Sequence, residues 1–317
     1  MGRAAYIRRR LILMAFVLFG VTIVIFGMVR ILPGDPAFLI LGDRATDQKA
    51  AELREQLGLN RPILEQYWNF VSGFAHGDMG QSLLYRQPVG DLVLRRVPIS
   101  LALAGYAMGL AAIITLTFGI LAAINKGRWP DQLIRIGFLF ALTTPNFWFG
   151  ILLILLFGLT LKWFPVAGFG ETLPQHIWYL FLPALTLALQ LSAVLIRNLR
   201  GQIIQTLRSD YVRTAHAKGL SESLVLLRHV LRNALLSTVT IFGLQFGFLV
   251  GGTIVVETVF AVPGTGQLLV SSITGRDYPV VQSITVISAF LVIVVNLAVD
   301  LFYSLLNPRI RVRSSPA

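Results

Sequence analysis

Residues 210–221, which read DYVRTAHAKGLS, concentrate acidic, basic and hydroxyl side chains in an otherwise apolar chain. Such side chains can form ion pairs and hydrogen bonds with another macromolecule. Ser209 or Asp210 can serve as the N-cap of a short helix, and Gly219 can end that helix in the left-handed conformation. Ser221 can cap a second helix, whose apolar face comprises Leu224, Leu227, Leu231, Ala234 and Leu235. The pattern predicts a rigid helix–Gly–helix knob joined directly to the next apolar stretch.

The sequence offers no pattern for bond-making chemistry. Cys is absent, which excludes disulfides, thiolate metal sites and Cys nucleophiles. There is no carboxylate pair, catalytic triad or phosphate-binding loop of the type G-x-x-x-x-G-K-[ST]. The four His residues lack ligand spacing: His76, His176, His216 and His229. We therefore expect a non-catalytic chain with no metal site and no cofactor of its own.

The composition is that of a polytopic membrane protein. Hydrophobic residues make up 55% of the 317 positions and charged residues only 13%, whereas soluble domains carry about 25% charged residues. The net charge of +12 is better explained by basic loops beside membrane spans than by nucleic acid, which we do not expect as a partner.

Six apolar stretches are long enough to cross a bilayer, which takes about 20 helical residues. We predict an all-α polytopic membrane protein with six transmembrane helices at 11–29, 99–125, 136–161, 177–196, 233–256 and 280–306. The first stretch follows three Arg residues but is too long for a signal peptide, so it is interpreted as a retained span.

The basic residues indicate the orientation. The N-terminus (1–10), the 126–135 and 197–232 loops and the tail (307–317) hold 17 of the 27 Lys and Arg residues. The positive-inside rule therefore predicts that both termini and the knob lie in the cytoplasm. Residues 30–98 and 258–279 then face outward.

The external segment 30–98 is expected to be ordered. A helix is predicted from Lys49 to Leu57, with Gly58 ending it. Pro62 can begin a second helix, whose apolar face comprises Ile63, Tyr67, Phe70, Val71 and Phe74. Spacing alone does not decide whether this face lies on the membrane or a partner, or packs within an external cap. The second external segment, 258–279, can form an outer partial helix.

The predicted spans carry uncharged polar residues in their interior, whereas Glu257 and Asp300 lie at span ends. Candidates for the translocation path are Asn146, Gln245, Glu257 and Asn296. Interhelical hydrogen bonding is the alternative explanation for the amides. Four glycines at small-residue spacing, Gly243, Gly247, Gly251 and Gly252, predict close helix packing, either within the chain or at a subunit interface.

The knob resembles the EAA loop of the membrane subunits of ATP-binding-cassette importers. Aligned on Gly219, the chain has Arg213-Thr214-Ala215 at the Glu-Ala-Ala positions and Leu231 at a later Leu position. Its DYVRTA-x-AKG and RH-x-LRNA forms resemble the branch that imports peptides and nickel. Further segments resemble the B-type permeases of dipeptide, oligopeptide and glutathione importers: LPGDP (32–36), QLGLNRP (56–62), GDMGQS (77–82), GLQFGFLVGGTIVVETVF (243–260), PGTGQLL (263–269), RDYPVVQ (276–282) and NPRIR (307–311).

The resemblance implies that the helix before Gly219 docks in a cleft of a cytoplasmic ATPase and transmits its closure to the membrane spans. The coupling residues it implies are Asp210, Arg213, Thr214, Ala215, Lys218, Gly219, Leu220 and Ser221. Because Arg213 replaces the usual Glu, a charge contact inferred from the general motif does not carry over. The permease domain is expected to cover about 95–306.

The expected function is that of an importer permease in the bacterial inner membrane, forming half of a path for dipeptides, oligopeptides or glutathione. The resemblance implies a second homologous permease, two cytoplasmic subunits that bind ATP and Mg, an extracytoplasmic substrate-binding protein and surrounding membrane lipids. Nickel import is the alternative within the family. An ion- or proton-coupled secondary transporter would favour inverted repeats and ionisable groups at mid-membrane, and a membrane-anchored scaffold would not need the knob.

Overall fold

The computed structural model describes residues 3–31, 38, 46–56 and 60–306, and these residues are predominantly helical. The long helices are α1 (Arg3–Ile31), α4 (Val89–Ile124), α7 (Leu173–Leu207), α10 (Leu231–Val259) and α12 (Tyr278–Leu306). The shorter helices are α2 (Asp47–Gln56), α3 (Ile63–Ala75), α5 (Trp129–Thr143), α6 (Asn146–Leu153), α8 (Asp210–Ala217), α9 (Glu222–Leu224) and α11 (Thr265–Thr274). The predicted all-α class is confirmed.

Among the described residues, five helical stretches are long and apolar enough to cross a membrane, and a bent pair brings the number to six. The bent pair was expected to be one span, 136–161. Within it, α5 and the helix from Asn146 to Thr160 meet at 114°, as in a broken span or a re-entrant loop. The break has a local cause, because Pro145 has no N–H and forces Thr144 into an extended conformation with ψ of 132°.

Two helices contain a π-helical run. Ile154–Thr160 continues α6, and Val225–Val230 joins α9 to α10. In such a run each N–H donates to the carbonyl five residues back, so side chains take different angular positions from those in an α-helix.

The chain divides into two compact units. Among the described residues, one comprises the part up to Pro98 together with Leu268–Val294, and the other comprises Ile99–Gln267 and 295–306. The predicted Gly58 terminator and the LPGDP and NPRIR motifs lie outside the described residues.

In the first unit, α3 packs its aromatic face on α1. The Tyr67 hydroxyl lies 2.9 Å from the hydroxyl of Thr22, and the Tyr67 ring meets Phe26 edge-on at a centroid distance of 5.2 Å. The predicted apolar face of this helix therefore has an intrachain partner. Leu64 and Trp68 remain largely exposed.

A small core in the same unit unites segments that are distant in sequence. Val89 and Val93 at the start of α4 pack with Leu268, Val280 and Ile284. Beside this core, the Ser82 hydroxyl donates to a carboxylate oxygen of Asp277 and the Leu84 N–H donates to the same oxygen at 3.0 Å. The GDMGQS and RDYPVVQ motifs thus bind each other.

The second unit is built around α7. About 67% of its most apolar window is buried, a larger share than in the other candidate spans of the described chain. Its Leu187, Leu191 and Leu195 belong to a core that also includes Leu249 and Val256 of α10. The far end of α7 carries the knob.

Candidate coupling site and path residues

The knob is anchored by the buried face of α8. Val212 and Ala215 pack in a core with residues from α4, α7, the π-helical run Val225–Val230 and the start of α10: Ala123, Leu199, Ile203, Val225, Val230, Leu231 and Ala234. A small side chain at Ala215 lets the backbone of α8 lie close to this core. The knob is therefore a packed extension of the long helices.

Gly219 ends α8 as predicted. Its φ is +79°, in the left-handed region. Its N–H donates to the His216 carbonyl at 2.9 Å, and the Leu220 N–H donates to the Ala215 carbonyl at 3.4 Å. These two bonds form a Schellman motif, which fixes the direction of the chain as it leaves the helix.

The predicted capping side chains do not cap. Ser209 and Ser221 occupy the N-cap positions, yet neither makes a side-chain capping hydrogen bond. The Ser209 hydroxyl instead donates back to the Thr206 carbonyl at 2.6 Å. The N-terminus of α8 is left with the acidic Asp210 in its first turn, which suits the positive end of the helix dipole.

The coupling residues implied by the resemblance divide between two faces. Ala215 is buried and Leu220 half-buried, whereas the other six are exposed: Asp210, Arg213, Thr214, Lys218, Gly219 and Ser221. Arg213 and Asp210 form a loose ion pair at 3.8 Å, and their side chains are 77% and 97% exposed. Such a pair contributes little to stability, so these charges are free to contact another molecule.

Sequence reasoning missed a contact between the knob and α10. Asn233 donates its amide to the Tyr211 hydroxyl at 2.9 Å and to the His229 carbonyl at 3.0 Å. Tyr211 and Asn233 stand inside the DYVRTA and LRNA motifs, but a pairing across 22 residues leaves no trace in a single sequence.

The predicted apolar face of the second helix is partly wrong. Leu224 and Leu227 are exposed, whereas Val225 and Val230 are buried in their place. The π-helical run Val225–Val230 is the physical reason, since α-helical spacing does not describe which of its side chains share a face.

A buried ion pair supports the knob end of α7. Asp131, 1% exposed, accepts two hydrogen bonds from the guanidinium of Arg200, at 2.7 and 2.6 Å. Its second oxygen also accepts the Gly127 N–H at 2.9 Å. The ion pair thereby joins the turn before α5 to α7, ten residues before α8 begins at Asp210.

Glu257 is fully buried and forms hydrogen bonds with the backbone of the segment that follows it. Its carboxylate accepts the N–H groups of Gly266 at 2.6 Å and Gln267 at 3.3 Å, at the N-terminus of α11. Close approach requires glycine here, because a Cβ on Gly264 or Gly266 would collide with this carboxylate. The structure thus gives Glu257 a structural contact that the sequence did not suggest.

The other path candidates lie apart. Asn146 is half-buried at the start of α6, with its amide nitrogen beside Gly252 of α10. Gln245 is half-buried on α10 and Asn296 is exposed on α12. Within the described residues no hydrogen bond joins any two of the four candidates. Their role in a path stays a prediction.

The glycine stripe of α10 has intrachain neighbours at Gly243 and, in ordinary van der Waals contact, at Gly252. A Cβ on Gly243 would collide with the side chain of Val299 on α12, whereas nothing lies within 4 Å of a Cβ on Gly251. The close approach predicted from spacing therefore occurs within the chain at Gly243, and Gly251 remains open.

Two family models cover most of the chain. Residues 115–312 match the binding-protein-dependent transport system inner membrane component. Residues 4–104 match the N-terminal part of the membrane component of such systems.

Curated relatives match over nearly the whole length. A glutathione transport system permease protein, GsiC, of Escherichia coli strain K12 is 43% identical over 306 residues, which covers 96% of this chain and 98% of the relative. The GsiC protein of Shigella boydii serotype 4 is 42% identical over the same length.

Solved structures share the fold of the larger part of the chain. A chain of the inward-facing MetNI methionine ABC transporter has a TM-score of 0.58 at 16% identity, covering 68% of this chain and 96% of that one. A chain of an amino acid ABC transporter has a TM-score of 0.52. From the family match and the full-length relatives, this chain belongs to the binding-protein-dependent transport system inner membrane components, the multi-pass permease subunits of ABC importers.

Proposed function

We propose that this permease forms half of an inward path for glutathione or short peptides. The supporting observation is the 43% identity, over 96% of the chain, to glutathione permeases. Residue classes that suit nickel, namely Cys and clustered His, are missing from the sequence. The proposed partners are a second permease, two ATPase subunits that bind ATP and Mg²⁺, and an extracytoplasmic binding protein. Both termini and the knob face the cytoplasm in this proposal.

The knob is the proposed contact with the ATPase. The proposal is supported by the two different faces of the knob. One face is buried through Val212 and Ala215, and the other exposes the polar side chains of Arg213, Thr214 and Lys218. A rigid element with one face packed on α7 and α10 can pass a displacement to those helices. To shift a two-state transporter from 1:99 to 99:1, ATP must favour one state by about 5.5 kcal/mol.

The absence of Cys makes a direct test possible. In a Thr214→Cys variant the single thiol is coupled to a maleimide photo-crosslinker, and the chain is irradiated in its native membrane. We expect a covalent product with an ATPase subunit, identified by mass spectrometry. Thr258→Cys is a matched control, because Thr258 is also exposed and its hydroxyl also bonds the carbonyl four residues back. Equal ATPase products from both variants, or from neither, would overturn the docking assignment.

The substrate is tested separately. The tagged chain is purified in mild detergent with the subunits that accompany it and is reconstituted into proteoliposomes with the binding protein. ATP-dependent uptake of labelled glutathione or dipeptides supports the proposal. Uptake of nickel alone contradicts the peptide assignment, and recovery of the chain without an ATPase contradicts the importer assembly.

A further inference from the structure

A cavity of about 420 Å³ lies between α5 and α7, close to the buried Asp131–Arg200 pair. Its volume is within the range of small-molecule sites in proteins. Most of its wall is apolar: Ile136, Phe138, Leu139, Leu142, Ala193 and Ile196.

Two positive charges besides that of Arg200 stand at this cavity, and the single carboxylate of Asp131 leaves the cluster with a net positive charge. Arg135 and Arg197 line it, both are exposed, and neither forms an ion pair with a described residue. Arg200 also lines the cavity, but Asp131 neutralises it through two hydrogen bonds. Gln132 adds an amide at the same rim. The site therefore combines a basic rim with an apolar wall.

This combination selects a ligand that has both an anionic head and a hydrocarbon part. A guanidinium binds phosphate through paired N–H donors, whereas the apolar wall offers nothing to a free phosphate ion. The rim belongs to the end of the spans with the basic loops, and a cytoplasmic leaflet presents anionic lipids there. The last step rests on the orientation given under the proposed function.

We propose that the cavity between α5 and α7 binds an anionic phospholipid. Its phosphate lies between Arg135 and Arg197, and an acyl chain follows Ile136, Leu139 and Leu142. The lipid fills the space beside Arg200, so it adds contacts between the two helices that the Asp131–Arg200 pair already joins.

The test is native mass spectrometry of the full chain in detergent, titrated with phosphatidylglycerol, phosphatidylcholine or glycerol 3-phosphate. We expect phosphatidylglycerol to bind most tightly. An Arg135→Gln/Arg197→Gln variant should bind it about tenfold more weakly or worse. Arg208→Gln/Arg232→Gln is the matched control, since it removes two exposed arginines that do not line the cavity, and it should bind normally.

Other outcomes overturn the proposal. Equal binding of the two phospholipids would show that the cavity binds lipid through its apolar wall without recognising the charge of the headgroup. Tight binding of glycerol 3-phosphate would show that the site binds a soluble phosphate. Unchanged binding in the double Gln variant would also refute it. If that variant does not fold, Leu139→Trp keeps both charges and fills the cavity, so loss of binding supports the site and unchanged binding refutes it. The measurement needs no partner subunit, so it stands apart from the uptake test.

Discussion

A single ion pair shows what burial does to charge in this protein. Asp131 is almost fully buried and Arg200 is 20% exposed. Burial removes much of the hydration that stabilises each charge, so each is stabilised by the opposite charge of its partner. The loose pair of Asp210 with Arg213 lies in solvent, where such pairs are worth about 0–1 kcal/mol. The two aspartates therefore form a natural comparison.

We expect Asp131→Asn to lower the stability of the folded chain by about 3 kcal/mol, because it leaves the Arg200 charge uncompensated. Asp210→Asn, the exposed counterpart, should change stability by less than about 1 kcal/mol. Thermal unfolding in detergent, followed by the fluorescence of the Trp residues, measures both. Similar melting temperatures for the two variants would contradict the structural role of the buried pair.

Sequence reasoning at the residue scale succeeded where the rule is local. Gly219 was identified because a left-handed helix end requires only its neighbours. The pairing of Asp131 with Arg200 spans 69 positions, and no local rule links them. Glu257 was noticed as a charge at a span end, but its contacts with Gly266 and Gln267 depend on how the following loop turns back.

At the scale of elements, the knob owes its direction to one residue. Space around Gly219 is open, with nothing within 4 Å of a Cβ placed there. A side chain at this position therefore meets no steric obstacle, and only the backbone conformation opposes it. The left-handed conformation costs an ordinary residue about 1–2 kcal/mol and a β-branched residue more.

We expect Gly219→Val to leave the amount of inserted protein unchanged and to reduce ATP-dependent uptake about fivefold or more, since strain unwinds the end of α8. Gly201→Val is the control: Gly201 lies within α7, is equally open, and has an ordinary helical conformation. Both are assayed in proteoliposomes with the partner subunits. Full ATP-dependent uptake by Gly219→Val would contradict the proposed role of the knob in coupling ATP hydrolysis to transport.

Element prediction failed where helices depart from regular α geometry. Apolar length correctly indicated the long helices, because about 20 apolar residues suffice to cross a bilayer. It could not indicate the 114° bend, although Pro145 marks the position of the bend. It also could not indicate the π-helical run Val225–Val230, in which Val225 and Val230 are buried while the predicted Leu224 and Leu227 are exposed. Hydrogen-bond register inside a helix is set by packing, which composition does not record.

At the scale of the molecule, the folding units do not follow the family-model boundary. One model ends at residue 104 and the next begins at 115, whereas the first compact unit includes Leu268–Val294. Val93 of α4 is fully buried with Val280 of α12. The N-terminal part thus completes its core with residues from far along the chain.

We expect a chain divided in the exposed turn after Lys126 to reassemble when residues 1–126 and 127–317 are co-expressed. The halves should co-purify in mild detergent, because buried contacts join them within each unit. Val93→Ser should weaken this association, whereas Leu94→Ser, at a 61% exposed position, should not. Separation of the unmodified halves would contradict the assigned core.

The π-helical run at the base of α10 has a mechanical consequence. A π turn holds about one residue more than an α turn, so Val225–Val230 contains an extra residue within the second helix of the knob, directly before α10. If the extra residue shifts along the helix by one turn, each residue in that turn rotates by about 100° about the helix axis. If the knob couples an ATPase to the spans as proposed, this extra residue lets the base of α10 take up a displacement of the knob as local twist.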